Sequence, residues 1–334
     1  MGIKKIKKLS TVNNPQRAGT QLSTVKLSAS ILRAVFLVAF AYILLYPLFF
    51  MISASFKDAR DFIDPTVVWV TKYFITGNFP DAFNVMEFPK SLFNTLRFEI
   101  VTALVEVLTC SVIAYGFARF EFKFKKVWMA CLFLAILVPD VMLILPRIMS
   151  FKQLDILGVL GLLNKVSGVE LRPNILDTAL PFYLPALFGV GLKGGLFIFI
   201  YMQFFKGLPR ELEDAAYIDG AGPIRTFIRI ILPSAGSAFL TVTILSVVWH
   251  WGDYWQALMY TGNNRTLAYV VANIDQYTDK YLRAAFGIQN SGFNPRALAI
   301  SMAACLIYIA IPLVFYLILQ RKFIQSVDRV GIVG

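Results

Sequence analysis

Apolar and polar positions alternate on a long scale in this chain. Six apolar runs lie near 33–53, 98–118, 127–148, 185–205, 232–258 and 297–319. Each approaches the roughly 20 residues that a helix needs to cross a hydrocarbon core of about 30 Å. The runs are apolar on all sides and lack the single stripe of a soluble surface helix. None shows the two-residue alternation of a strand. The pattern predicts an all-α fold, a polytopic membrane helical bundle of about six transmembrane helices. Residues 1–33 form a basic N-terminal segment, 34–319 the transmembrane domain and 320–334 a polar tail, with a polar loop at 206–231 inside the domain. The first run begins near Ala34 with no small-residue cleavage site after it, and so reads as a span. Pro185, Gly191, Lys193, Gly194 and Gly195 interrupt the fourth run, and the fifth starts as a helix outside the membrane.

Composition agrees with that pattern. The 334 residues are 57% hydrophobic and 16% charged, against about 25% charge in soluble domains. The net charge of +12 is spread between the apolar runs and forms no single basic face, so anionic lipid accounts for it better than nucleic acid. Segments 1–33, 119–126, 206–231 and 320–334 hold 18 Lys and Arg, whereas 54–92, 149–184 and 261–296, although longer in total, hold 11. The denser set belongs in the cytoplasm, which puts both termini inside. Cys110, Cys131 and Cys305 all fall in apolar runs and form no disulfide framework.

The chemical inventory is sparse. The dipeptide Gly-Lys is absent, and with it the phosphate-binding turn of a P-loop. There is no GxSxG elbow and no His/Cys/carboxylate cluster for a metal, so no catalytic or metal-ligating residues are assigned. The single histidine, His250 in VVWHWGDYW, reads as an imidazole in an aromatic interfacial belt. Glu106, Asp140 and Lys193 are the charges deepest in apolar runs. An ionisable group at that depth either lines a pathway or locks two helices through a polar contact. Lys193 has a third option, snorkelling to the outer interface.

The stretch Glu211–Pro233, ELEDAAYIDGAGPIRTFIRIILP, is the most informative. Pro209 opens a helix, and Glu211, Glu213 and Asp214 sit in its first turns, where the helix dipole favours acids. Asp219-Gly220-Ala221-Gly222 breaks it, and Pro223 starts a second helix with Ile224, Phe227, Ile228 and Ile231 on an apolar side. Two short helices hinged at glycine, with small alanines and an acidic rim, suit close approach by another surface. Folding back on its own bundle is the alternative.

The segment resembles the EAA loop of bacterial ABC importer permeases: EAA, three residues, Gly, nine residues, Ile-x-Leu-Pro. Asp214, Ala215, Ala216, Gly220, Ile230, Leu232 and Pro233 keep every spacing, with Asp214 in place of the family's Glu and Glu213 beside it. Asn94-Thr95-Leu96, Ala114-Tyr115-Gly116-Phe117-Ala118-Arg119, Trp251-Gly252-Asp253-Tyr254 and the tail QRKFIQSVDRVGIVG resemble segments of the carbohydrate-uptake, maltose permease G-subunit type, whose usual Trp-Asn-Asp is Trp-Gly-Asp here. The resemblance implies a type I ABC importer permease (MetI-like) core in a bacterial plasma membrane. It implies a loop that docks in a separate ATPase subunit, so that ATP is used by that partner and no cofactor is bound by this chain. It further implies a homologous second permease, two ATPase subunits, an extracytoplasmic solute-binding protein, which the loop 261–296 would meet, and a sugar or oligosaccharide as substrate. An ion-coupled secondary transporter or channel working without an ATPase is the competing expectation, motivated by Glu106, Asp140 and Lys193.

Overall fold

A computed structural model describes residues 15–155, 158–168, 172–262, 264–287 and 292–331. Its helices run in the order α1 (Pro15–Ser55), α2 (Ala59–Ile63), α3 (Asn78–Val85), α4 (Phe88–Thr95), α5 (Val101–Arg119), α6 (Lys125–Leu137), α7 (Asp140–Lys152), α8 (Val159–Ser167) and α9 (Leu180–Leu187). They continue with α10 (Gly194–Gly207), α11 (Glu211–Ile218), α12 (Pro223–Thr226), α13 (Leu232–Ser234), α14 (Gly236–Trp251), α15 (Tyr254–Tyr260), α16 (Leu267–Ala272), α17 (Ile274–Phe286) and α18 (Pro295–Gly331). Wide π turns at Leu96–Ile100 and Phe227–Ile231 join α4 to α5 and α12 to α13. No strand occurs among the described residues, and Lys57 and Phe74 form one isolated antiparallel bridge.

Three stretches are long and apolar enough to span as continuous helix: Ala29–Ser55, Phe88–Arg119 and Pro295–Arg321. The other apolar runs are broken. The run expected at 127–148 divides into α6 and α7, which meet at 104°. Pro139 is the cause, because proline pushes the preceding residue out of helical geometry, and Val138 is extended at φ −73°, ψ 121°. The run at 185–205 becomes α9, a loop at 188–193 and α10. Gly189 and Lys193 take positive φ, +68° and +63°, in that loop. The fifth run is bent by 80° between Pro223–Ser234 and Gly236–Trp251.

The centre of the bundle is the α5–α10 contact. On α5, Cys110, Ala114 and Ala118 recur every four residues and are buried, so one face is narrow enough for close approach. Phe197, Ile198, Tyr201, Met202 and Phe205 of α10 fill that side, and Val242 and Ala238 of α14 close it. In a membrane such packing and polar contacts hold helices together, because lipid tails are as apolar as leucine. A second core joins α3, α16, α17 and α18 through Ala82, Leu267, Leu282 and Ala303. Asn94 Nδ2 donates to the Arg265 carbonyl at 3.0 Å, and Thr95 Oγ1 accepts from the Leu267 amide at 2.8 Å. These bonds pin α4 to the loop before α16. Most apolar side chains of Ala29–Ser55 are exposed on the bundle surface, as on a lipid- or partner-facing helix, while Ala54 and Ser55 at its end are buried.

Candidate functional site

Two places concentrate the residues singled out above. The first is the polar projection formed by α11, α12 and their turn. Gly220 has φ +77°, a left-handed conformation that an L side chain rarely adopts, and it reverses the chain between the two helices. The acids of α11 then separate. Glu213 and Ala216, three residues apart, are buried against the bundle, whereas Asp214, Ala215, Tyr217 and Ile218 face outward. Glu213 Oε1 lies 2.8 Å from Arg119 Nε, and Arg119 Nη2 donates to the Leu208 carbonyl at 2.8 Å. Glu213 is therefore not part of an outer acidic rim. It fastens the projection to the last residue of α5, and Asp214 alone of that pair remains on the surface.

The apolar residues of the second helix divide in the same way. Phe227 and Ile231 pack into the core beside Tyr115 and Phe205, while Ile224 and Ile228 are exposed. The π turn at Phe227–Ile231 is the physical reason, since an extra residue per turn changes the face that each side chain meets. Ile230 and Leu232 are partly buried and Pro233 lies outside, at the entry to the 80° bend. The projection thus presents Ile218, 86% exposed, and Ile224, 76% exposed, next to Asp214 and Ala215.

The second place is the interior of the bundle. Lys193 Nζ and Asp140 Oδ2 are 2.5 Å apart, an ion pair in which the lysine side chain stays partly exposed. Asp140 is the first residue of α7 and Lys193 immediately precedes α10, so this pair joins the two breaks. Glu106 lies beneath them. A Cβ placed on Gly191 or Gly194 would come within 2.5 or 2.9 Å of Glu106 Oε1, so both glycines are there because the backbone crosses the carboxylate. His250 is not in an interfacial belt: it is buried, with Nε2 3.4 Å from Glu106 Oε2. Its Nδ1 is 2.9 Å from the Ser246 carbonyl, which only accepts, so Nδ1 carries a proton. Nε2 faces Glu106 Oε2 with no hydrogen bond formed between them. Among the described residues no group of His, Cys, Asp and Glu has the arrangement of a metal site.

Glu99, which sequence reasoning passed over, is fully buried, and neither of its carboxylate oxygens has a hydrogen-bond partner among the described residues. It stands seven residues before Glu106 and so shares its helix face. That spacing was a readable signal. Asp253 caps α15 by accepting from the Gln256 amide at 3.1 Å, which explains one element of the Trp-Gly-Asp-Tyr segment.

A projecting pair of short helices on a bundle of broken spans narrows the family, and comparison with known proteins decides it. The model of the family described as "Binding-protein-dependent transport system inner membrane component" matches residues 108–329. The chain belongs to that family. It is therefore a transport component of an inner membrane and not an enzyme. Among curated proteins it is similar to the trehalose transport system permease protein SugB of Mycobacterium tuberculosis, with 27% identity over 290 residues, 87% of this chain and 93% of that one. It is similar also to the melibiose/raffinose/stachyose import permease protein MelC of Bacillus subtilis, with 25% identity over 86% of this chain and 91% of that one. Among solved structures, a chain of a bacterial ABC transporter involved in the import of the acidic polysaccharide alginate superposes with a TM-score of 0.67 at 16% identity. The match covers 90% of this chain and 98% of that chain, and shows a shared fold.

Proposed function

We propose that this permease is the membrane subunit of an ATP-driven importer of sugars or oligosaccharides, and that α11 and α12 are its docking element for an ATPase subunit. The outward face of α11 carries the reading. Asp214 and Ala215 share the exposed side of α11 with Ile218, and Ile224 is exposed on α12, an apolar pair too exposed to serve the chain's own core and bordered by the surface acids Glu211, Asp214 and Asp219. A cleft that buries the two isoleucines and offers a donor to Asp214 is the complementary surface. Because Glu213 and Arg119 tie α11 to the end of α5, a displacement of the docked element is carried into a helix that runs through the bundle centre. Such a bundle has alternative packings that a distant binding event can bias.

The remaining partners follow from the same reading: a homologous second permease, a second ATPase copy and an extracytoplasmic solute-binding protein that meets the 261–296 region. Both termini and the α11–α12 projection lie in the cytoplasm, as the density of Lys and Arg indicates. The solutes named for the trehalose and the melibiose/raffinose/stachyose relatives support a sugar. The decisive experiment replaces Ile218 by Glu in the assembled transporter. ATPase retained on purification falls by about tenfold, the effect of losing ~1.4 kcal/mol at a contact, with yield and helical content unchanged. Full ATPase retention in that variant would remove α11 from the interface.

A further inference from the structure

Lys125 opens α6 six residues after Arg119, so α6 starts at the end of the bundle to which Glu213 fastens the α11–α12 projection. Its 13 residues rise about 20 Å, into the far third of a hydrocarbon core of about 30 Å. There the chain turns through 104° at Pro139, so α7 runs along the far leaflet and not straight out of it. Val141, Met142, Leu145 and Met149 of α7 are exposed, as lipid-facing side chains at that level would be. The chain then makes an excursion with a closed neck. The Leu154 amide donates to the Pro173 carbonyl at 3.1 Å, and the Ile175 amide donates to the Phe151 carbonyl at 2.9 Å. Phe151 and Ile175 are buried together in the core beneath that neck.

The excursion carries α8, which begins seven residues after α7 ends. Asp155 fixes its start, with Oδ1 accepting from the Leu160 amide and Oδ2 from the Gly161 amide, both at 3.0 Å. Beyond that tether α8 packs extensively on no other described helix. Its apolar residues Val159, Leu162, Leu163 and Val166 follow the i, i+3, i+4, i+7 pattern and fall within an arc of about 100°. All are exposed, Val166 at 87%, whereas Leu160, Gly161 and Asn164 on the opposite side are half-buried. We propose that α8 is an in-plane anchor whose Val159–Leu162–Leu163–Val166 stripe inserts into the membrane leaflet opposite the α11–α12 projection. The neck holds α8 to the end of α7, at the level where an amphipathic helix seats its apolar face roughly 5–10 Å into the headgroup–acyl boundary. Lipid is the occupant that the neighbouring chemistry fits. The exposed side of α7 is already apolar at that level, and the exposed Lys152 and Lys165 flank the stripe with ammonium groups that can reach lipid phosphates. The anchor holds the outer end of α7, and with it the helix that starts at Asp140, against the bilayer.

Site-directed fluorescence in the assembled transporter in lipid nanodiscs tests this. On a background of Cys131→Ser and Cys305→Ser, which leaves only the buried Cys110, the variants Leu162→Cys, Lys165→Cys and Val166→Cys are labelled one at a time with bimane. Phosphatidylcholine carrying a nitroxide on its acyl chain quenches from the lipid, and iodide quenches from water. The expected result is quenching by the nitroxide lipid and loss of iodide quenching at positions 162 and 166, with iodide quenching kept at position 165. Iodide quenching at 162 and 166 as strong as at 165 would put the stripe in water and overturn the proposal. Shielding of 162 and 166 from both quenchers would place a protein surface over the stripe and overturn it equally. The readout involves no ATPase, so its failure is distinct from failure of the docking reading.

Discussion

At the residue scale, the separation of Glu213 from Asp214 reassigns the acids of the proposed docking element. From the sequence both acids belong to one rim, because adjacent positions carry no label for inside or outside until a helix is placed against a neighbour. On the helix, a step of one residue is a rotation of about 100°, enough to put Glu213 against Arg119 and Asp214 in solvent. The two substitutions should then behave differently. Glu213→Ala leaves the Arg119 guanidinium buried without its counter-ion, a loss in the range of about 3–5 kcal/mol. Thermal unfolding of the detergent-purified chain should therefore shift downward, and Arg119→Met combined with Glu213→Leu should recover most of the loss. Asp214→Ala should leave unfolding where it was and weaken only ATPase retention. An equal thermal shift for Glu213→Ala and Asp214→Ala would refute the assignment. His250 teaches the same lesson from the other side. Its tryptophan neighbours suggested an interface, but the carboxylate that meets it comes from a helix 144 positions earlier in the chain.

At the scale of elements, the apolar runs were legible and the breaks within them were legible only in part. Pro185 and the glycines of 191–195 are visible as punctuation, yet composition cannot say whether a glycine merely weakens a helix or makes room for another chain segment. Here it makes room. A Cβ on Gly194 would meet the Gly189 carbonyl oxygen at 2.5 Å and Glu106 Oε1 at 2.9 Å, whereas one on Gly191 meets chiefly the Glu106 side chain. Gly194→Ala is therefore expected to be the more damaging, since backbone cannot swing aside, with an overpacking loss of roughly 1–3 kcal/mol. Comparison of the melting temperatures of Gly191→Ala and Gly194→Ala checks the order, and a larger drop for Gly191→Ala would show that the carboxylate is the less yielding neighbour. The π turn at Phe227–Ile231 had no sequence signal at all. It splits an apolar set that reads as one stripe, with Ile224 and Ile228 turned outward.

At the scale of the whole molecule, the sidedness of the bundle rests on where Lys and Arg accumulate, and it is open to a direct check. Alkaline phosphatase, active only outside the cytoplasm, should be inactive when fused after residue 334 or inserted in the α11–α12 turn, and active when inserted near residue 70 or near residue 290. The reverse pattern would invert the assignment and move the docking face away from any cytoplasmic ATPase. The chain's own residues determined its class, its number of apolar runs and the polar segment here proposed for docking, because span length, charge density and turn residues are local properties that a linear string carries. The family's spacing from Asp214 to Pro233 is local too. What only the tertiary structure decided is which charges meet: Lys193 with Asp140, Glu106 with His250, and Arg119 with Glu213. Those pairings depend on the depth at which separate helices break and on the side each turns inward. Depth and rotation are set by packing between helices far apart in the chain, which no single segment encodes.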